Sequence, residues 1–284
     1  MISTAFEYSR ATSVDDALAK LRAANGEGKL LAGGHSLIPV MKFRLSEPKL
    51  LIDIGRIPEL SGIRSKDGRI EIGAGTVHHD VATSPLLQKE CPMLAEAAAA
   101  IGDPQVRNCG TLGGSLAHAD PAADYPAAML ALDADIHLKG ASGARVVKAH
   151  DFFRGLFTVD LAADEIIVAV RFAPVKAAAY AKLYQRASHF AIVGVAAALD
   201  VNKGVITSAR IGLTGASSHA TRLSDVENVL AGKKLAASSI EAAVRTAGAK
   251  IEDLNSDIHA SKEYRRAMIP VFTQRALMGA LARA

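Results

Sequence analysis

Two segments of this 284-residue chain pair glycines with small hydroxyl residues: Ala32-Gly33-Gly34-His35-Ser36 and Thr111-Leu112-Gly113-Gly114-Ser115. Glycine admits positive φ and lets a ligand approach bare backbone amides. Successive amides turned inward form a nest for an anion such as a pyrophosphate. Two such loops acting together would grip one dinucleotide from two sides. Neither has the G-x-G-x-x-G spacing of the Rossmann fingerprint, and no Gly-Lys-Ser/Thr follows either, as a Walker loop requires. The two commonest nucleotide folds are thereby excluded.

The other reactive residue types read more plainly. His78-His79-Asp80 has the ligand types of a metal site but no third ligand at useful spacing, which predicts a solvated surface pair. Asp120 and Asp124 stand four apart, as a paired-carboxylate site on one helical face would, but Asp120 precedes Pro121 and reads as an N-cap. Cys109 has no activating base and reads as a small packing residue. Ser217-Ser218-His219 reads as a polar turn, since no nucleophile elbow accompanies it. No catalytic acid, base or nucleophile and no metal site is expected.

These residues must be positioned by a chain long enough for two domains. Half of its residues are hydrophobic and 22% are charged, an ordinary globular composition. The net charge of +4 is scattered rather than gathered into a basic face, and tryptophan is absent, which argues against a nucleic-acid reader. The two cysteines, Cys91 and Cys109, fit neither a disulfide framework nor an iron–sulfur site. The segment from Met1 to Arg10 has no apolar signal core, and no stretch approaches a membrane span. A cytoplasmic protein with reduced thiols is expected.

Ser13 is placed to cap a helix carrying Val14, Leu18 and Leu21 at helical spacing and ending near Asn25-Gly26. Lys29–Ala32 and Leu50–Ile54 read as strands, giving a β–α–β unit over residues 1–55. In residues 56–175, Arg69–Gly73 reads as a strand, and Pro85 and Pro92 open helices. Asp120-Pro121 starts a further helix toward Leu132. A hairpin over Ile136–Leu138 and Arg145–Val147 and a strand over Glu165–Phe172 close that unit. The pattern lapses at 174–179, placing a boundary before residues 176–284. There Tyr180–Arg186, Ala191–Asp200 and Val205–Thr214 read as antiparallel strands. Arg222–Ala231, Ser238–Ala249 and Lys262–Ala282 read as helices, with a kink or break at Pro270. The fold class is α+β, not a doubly wound parallel sheet.

The run from Ala32 to Pro39 and the run from Thr111 to Pro121 resemble the two flavin loops of a known family. It is the medium, FAD-binding subunit of molybdenum hydroxylases of the carbon monoxide dehydrogenase and xanthine dehydrogenase type. Leu51–Leu60 resembles the join between that family's first two subdomains, and Tyr180–Ala198 the start of its C-terminal domain. The resemblance implies a two-subdomain (PCMH-type) FAD-binding region followed by an α+β domain with an antiparallel sheet and helices. It implies noncovalent FAD, with Leu31, Ala32, Gly33, Gly34, His35 and Ser36 cradling the pyrophosphate. Thr111, Gly114 and Ser115 would grip it from the second loop. Gly110, Ala117 and His118 would line the flavin side, and Asp124 would lie near the adenosine ribose or the loop framework. Ile101, Leu161 and Ile167 would wall the rings, and Phe190 would cover the flavin face. A flavin-contacting lysine of the family falls at Tyr184, with Lys182 nearby. The resemblance further implies a small subunit with 2Fe–2S clusters and a large molybdopterin subunit, assembled as a dimer of heterotrimers. Electrons would pass from the clusters through FAD to NAD or a quinone. A self-contained flavin oxidase or reductase, and a non-redox assembly factor that kept the fold, are the alternative readings.

Overall fold

A strand absent from the sequence reading opens the chain, which a computed structural model describes over residues 2–284: β1 (Glu7–Arg10). Its residues are mostly exposed at a sheet edge, so no apolar alternation marks it. Ser13 then caps α1 (Val14–Ala23), its hydroxyl accepting from the Asp16 amide at 3.1 Å. The Asp16 carboxylate in turn accepts from the Thr12 amide, one residue before the cap. β2 (Gly28–Leu31), α2 (Leu37–Lys42) and β3 (Leu50–Asp53) follow. The three strands form a parallel sheet in the order β1-β3-β2. The apolar run at Leu50 takes the centre, where both faces are covered.

The middle unit is an antiparallel sheet beside a cluster of short helices. β4 (Ile63–Lys66) and β5 (Arg69–Gly73) lead into α3 (His78–Thr83), α4 (Pro85–Glu90) and α5 (Pro92–Ala99). Prolines open the last two, where a missing amide costs nothing. Then come α6 (Pro104–Arg107), α7 (Leu112–His118) and α8 (Asp124–Ala131). β6 (Asp135–Gly140), β7 (Gly143–Lys148), α9 (Ala149–Phe152), β8 (Phe153–Gly155), β9 (Thr158–Val159) and β10 (Ile166–Phe172) complete the unit. The sheet order is β4-β5-β10-β6-β7.

The helix expected from Pro121 begins instead at Asp124. Asp120 does not cap it: its carboxylate accepts from the Ala122 amide at 2.8 Å, closing a turn that holds Ala123 extended. Asp120 and Asp124 therefore do not share a helical face. Every residue of α8 is buried, including Tyr125 and Pro126, so no amphipathic stripe marked its start.

The C-terminal unit pairs β11 (Ala178–Tyr184), β12 (Ala191–Asn202), β13 (Val205–Thr214) and β14 (Thr221–Arg222) in that order. α10 (Ser224–Leu230), α11 (Ala237–Val244) and α12 (Lys262–Leu281) cover one face. The strand β12 is buried almost throughout, and its period-2 alternation divides it between two cores. Val193, Val195, Ala197 and Leu199 face α12, while Ala196 and Ala198 join the core of the middle unit. Small residues make that second contact possible. A Cβ on Gly212 would lie 2.8 Å from the Ala127 carbonyl carbon of α8. Pro270 does not break α12, which runs unbroken for 20 residues. Ile269, Phe272, Thr273 and Ala276 are buried around the proline, and this packing outweighs the missing amide. Among the described residues, no helix is long and apolar enough to cross a membrane.

A candidate flavin site between the first two units

The first glycine segment joins β2 to α2, and its amides are uncommitted. Among the described residues, the N–H groups of Gly33, Gly34, His35 and Ser36 donate to no protein acceptor. Gly34 takes φ +73°, which turns the chain so that these donors follow one another. The Ser36 hydroxyl makes no capping bond and is equally free. His35 is exposed, with Nδ1 2.9 Å from the Gly33 carbonyl oxygen. A carbonyl only accepts, so Nδ1 carries the proton and Nε2 remains available.

The second glycine segment is not a loop. Thr111 caps α7, its hydroxyl accepting from the Gly114 amide at 3.1 Å. The Leu112 amide donates to Thr76 and that of Gly113 to Ala74. These donors are spent, so the expected second nest is absent. What α7 offers is the Thr111 and Ser115 hydroxyls and close packing. A Cβ on Gly113 would lie 2.9 Å from the Ala74 carbonyl oxygen. Gly33 is held as tightly, since a Cβ there would lie 2.7 Å from both the Cys109 carbonyl carbon and Gly110 Cα. The first segment thus touches, backbone to backbone, the residues that lead into the second.

Between them runs a cavity of about 510 Å³, within the usual range for a small-molecule or cofactor site. Of the residues singled out in the sequence, Ala32 through Ser36 line one part of it, and Gly110, Thr111, Gly114, Ser115, Ala117 and His118 another. Ile101, Asp124, Leu161, Ile167 and Phe190 also reach it. Two do not line it. Leu31 sits beneath Gly34, and Tyr184 is 53% exposed, its ring edge against His189. Nor is Lys182 free to point inward. Its ammonium is buried between Asp124 and the Ala100 carbonyl, 2.7 Å and 2.9 Å away.

His78 corrects the reading of a solvated pair. It occupies the first turn of α3, where its neighbour His79 faces solvent, but His78 itself is 5% exposed and lines the cavity. Its ring meets Tyr125 edge-on at 5.2 Å, and Nδ1 has no protein partner. Burial, reinforced by the proximity of His35 and Arg107, pushes its pKa down to about 4. It is therefore neutral at physiological pH. The doublet was visible in the sequence, but only the helix could show that its two rings part company.

The chain's resemblance is matched in comparison with known proteins. Residues 4–174 match the FAD-binding domain in molybdopterin dehydrogenase, and residues 178–280 the CO dehydrogenase flavoprotein C-terminal domain. The chain belongs to the FAD-binding subunits of molybdopterin dehydrogenases. The carbon monoxide dehydrogenase medium chain of Hydrogenophaga pseudoflava is 41% identical over all of this chain and 99% of its own. The 6-hydroxypseudooxynicotine dehydrogenase complex subunit alpha of Paenarthrobacter nicotinovorans is 38% identical over 98% of this chain and 95% of its own. A solved structure of the Hydrogenophaga pseudoflava carbon monoxide dehydrogenase, one lacking the Mo-pyranopterin moiety of the molybdenum cofactor, superposes with TM-score 0.95. It is 41% identical and each chain is covered completely.

This chain is the flavoprotein subunit of an oxidoreductase, and the chemistry of its cavity suits FAD. The four free amides and the Ser36 hydroxyl suit a pyrophosphate. The orphaned His78 Nδ1 provides a polar partner that the protein leaves unused. The apolar Ile101, Leu161 and Ile167 suit ring faces. Several lining residues escaped sequence reasoning, among them Lys29, Gly102, Val106, Glu165 and His189. Of these, Gly102 and His189 form a latch, with His189 Nδ1 2.7 Å from the Gly102 carbonyl oxygen. His189 takes φ +62°, and neither that nor an 87-residue separation leaves a mark on sequence periodicity.

The cysteines also part. Cys109, expected as packing, is exposed beside the first glycine segment because only its carbonyl packs against Gly33. Cys91 is buried, and burial pushes its pKa up to about 12. Titration of the native chain with a disulfide reagent is expected to label Cys109 promptly. Cys91 should react only after unfolding, and equal labelling of both in the native chain would contradict the packing described.

Proposed function

We propose that this chain relays electrons within a molybdenum hydroxylase complex. It would accept them from the 2Fe–2S clusters of a small subunit and deliver them to an external acceptor, NAD or a quinone. Substrate oxidation would belong to a large molybdopterin subunit, the whole assembling as a dimer of heterotrimers in the cytoplasm. The observation carrying this reading is that one cavity is bounded both by free amides at Gly33–Ser36 and by hydroxyls at Thr111 and Ser115.

Noncovalently bound FAD supplies the two-electron redox capacity, and the protein's part is to place it and shield it. In this reading the amides of residues 33–36 hold the pyrophosphate from one side, supported by Ala32 and, from beneath, by Leu31. Thr111, Gly114 and Ser115 close on it from the other. Gly110, Ala117 and His118 line the flavin side, Ile101, Leu161 and Ile167 wall the rings, and Phe190 covers an exposed face. Asp124 accepts from a cofactor hydroxyl. Residues 1–55 and 56–175 act as the two FAD-binding subdomains, and residues 176–284 carry the surface toward partner chains.

The test is purification of the native complex, identification of the chains that accompany this one, and rapid mixing of the reduced complex with NAD or a quinone. The expected result is two further subunits and oxidation by one of these acceptors. Purification of this chain alone, with steady turnover of a substrate, would sink the proposal.

A further inference from the structure

The buried charges behind the cavity belong to two different domains. Asp124 begins α8 in the FAD-binding region, and its side chain is 5% exposed; Lys182, on β11 of the C-terminal sheet, is 4% exposed. The ammonium lies 2.7 Å from Oδ1 and 2.9 Å from Oδ2 of the carboxylate. It donates also to the Ala100 carbonyl at 2.9 Å, at the end of α5. Tyr180, two residues earlier on β11, donates its hydroxyl to Asp124 Oδ1 at 2.6 Å. A carboxylate has about four lone-pair sites, so Asp124 retains acceptor capacity toward the cavity it lines.

The surrounding backbone is gripped from the same side. Thr214 Oγ1 donates at 2.9 Å to the Pro121 carbonyl or at 2.7 Å to that of Ala123. The Gly215 amide donates to Pro121, and the Ala191 amide to Ala122. Arg265 of α12, 3% exposed, binds the carbonyls of Ile192 and Gly215 and so braces both donors. Tyr180 also fixes α5 directly, its amide donating to Glu96 at 2.9 Å. Room for the tyrosine comes from β12, where a Cβ on Gly194 would lie 3.3 Å from Tyr180 Cζ.

We propose that Lys182 is a positioning residue for FAD: it holds Asp124 ionised and oriented as an acceptor in the cavity wall, so that cofactor affinity depends on the docked C-terminal sheet. The inference rests on the reading that Asp124 accepts from a cofactor hydroxyl. A carboxylate buried without a countercharge takes up a proton and loses part of its acceptor capacity. Here burial raises the Asp124 pKa, and Lys182 and Tyr180 oppose that rise. The titratable groups facing Asp124 are Lys182 and Tyr180 from β11 and Tyr125 from its own helix. Burial drives both tyrosines well above their ordinary range, so neither ionises near neutrality.

The experiment titrates the full chain, stripped of flavin, with FAD and follows flavin fluorescence. Wild type is compared with Lys182→Met, Asp124→Asn and the double variant. Each single change is expected to weaken binding roughly tenfold or more. The double variant should be no weaker than the weaker single, because both remove one interaction. The ratio of Lys182→Met to wild-type dissociation constants should fall as pH rises, because burial without the countercharge pushes the Asp124 pKa further up and base then ionises it. If Lys182→Met does not fold, Tyr180→Phe is expected to show the same non-additivity with Asp124→Asn, at roughly threefold. Weakening by Asp124→Asn with wild-type affinity and pH profile in Lys182→Met would overturn the inference alone. Unchanged affinity in Asp124→Asn would overturn the cavity role of Asp124 and the inference with it.

Discussion

Replacing Gly33 with alanine is expected to weaken FAD binding by ten- to a hundredfold. The reason is steric and local. A Cβ at this position would lie 2.7 Å from the Cys109 carbonyl carbon and 2.7 Å from Gly110 Cα. Both are backbone atoms, so no rotamer change relieves the clash, and the first glycine segment must move away from the backbone that leads into α7. Overpacking of this kind costs about 1–3 kcal/mol. Separation also moves the free amides of residues 33–36 relative to the Thr111 and Ser115 hydroxyls across the cavity. The measurement is equilibrium titration of the flavin-free chain with FAD. Gly155→Ala is the control, because a Cβ there meets nothing within 4 Å. It should bind as wild type does, and equal affinity in both variants would show that the close contact does not shape the site.

Acid should expose the second large effect, through His78. The native ring resists protonation down to about pH 4, against an ordinary value of 6.5, chiefly because it is buried. The unfolded chain accepts that proton sooner. Stability from a neutral buried histidine is therefore complete above about pH 6.5 and is lost progressively as pH falls toward the native value. At 1.36 kcal/mol per unit, the loss amounts to roughly 3 kcal/mol. Denaturant unfolding of the wild type and of His78→Gln across this window checks it. The glutamine variant should lose about that much less stability over the same interval. Parallel profiles would mean that His78 takes its proton in the native chain.

These two residues also show how legibility divides along the sequence. Gly33 was visible because paired glycines beside hydroxyls are a local pattern with a physical meaning. Its partner atoms, Cys109 and Gly110, are remote in sequence, so the need for glycine could be stated but not its cause. Thr111-Leu112-Gly113-Gly114-Ser115 looked equivalent, and composition alone could not distinguish a nest from a capped helix. That difference lies in Ala74 and Thr76, which take the amides a nest would have kept free.

Strands with apolar runs, such as β3 and β12, were readable from pattern, whereas the edge strand β1 carried no alternation to read. α8 was displaced by three residues because Asp120 satisfies the Ala122 amide in a turn, a local bond that competes with helix formation. The role of Lys182 was out of reach for a different reason. Its partners, Asp124 and the Ala100 carbonyl, lie 58 and 82 positions away. A buried lysine looks like any other lysine until the domains are docked.

The central claim is that one FAD is held without a covalent bond between the free amides of residues 33–36 and the face of α7. The most direct measurement is the flavin content of the purified full chain before and after denaturation. One FAD per chain is expected, bound in the native state and wholly released on denaturation, with uptake restored on refolding. A colourless chain that cannot take up FAD, or flavin that stays on the denatured polypeptide, would contradict it.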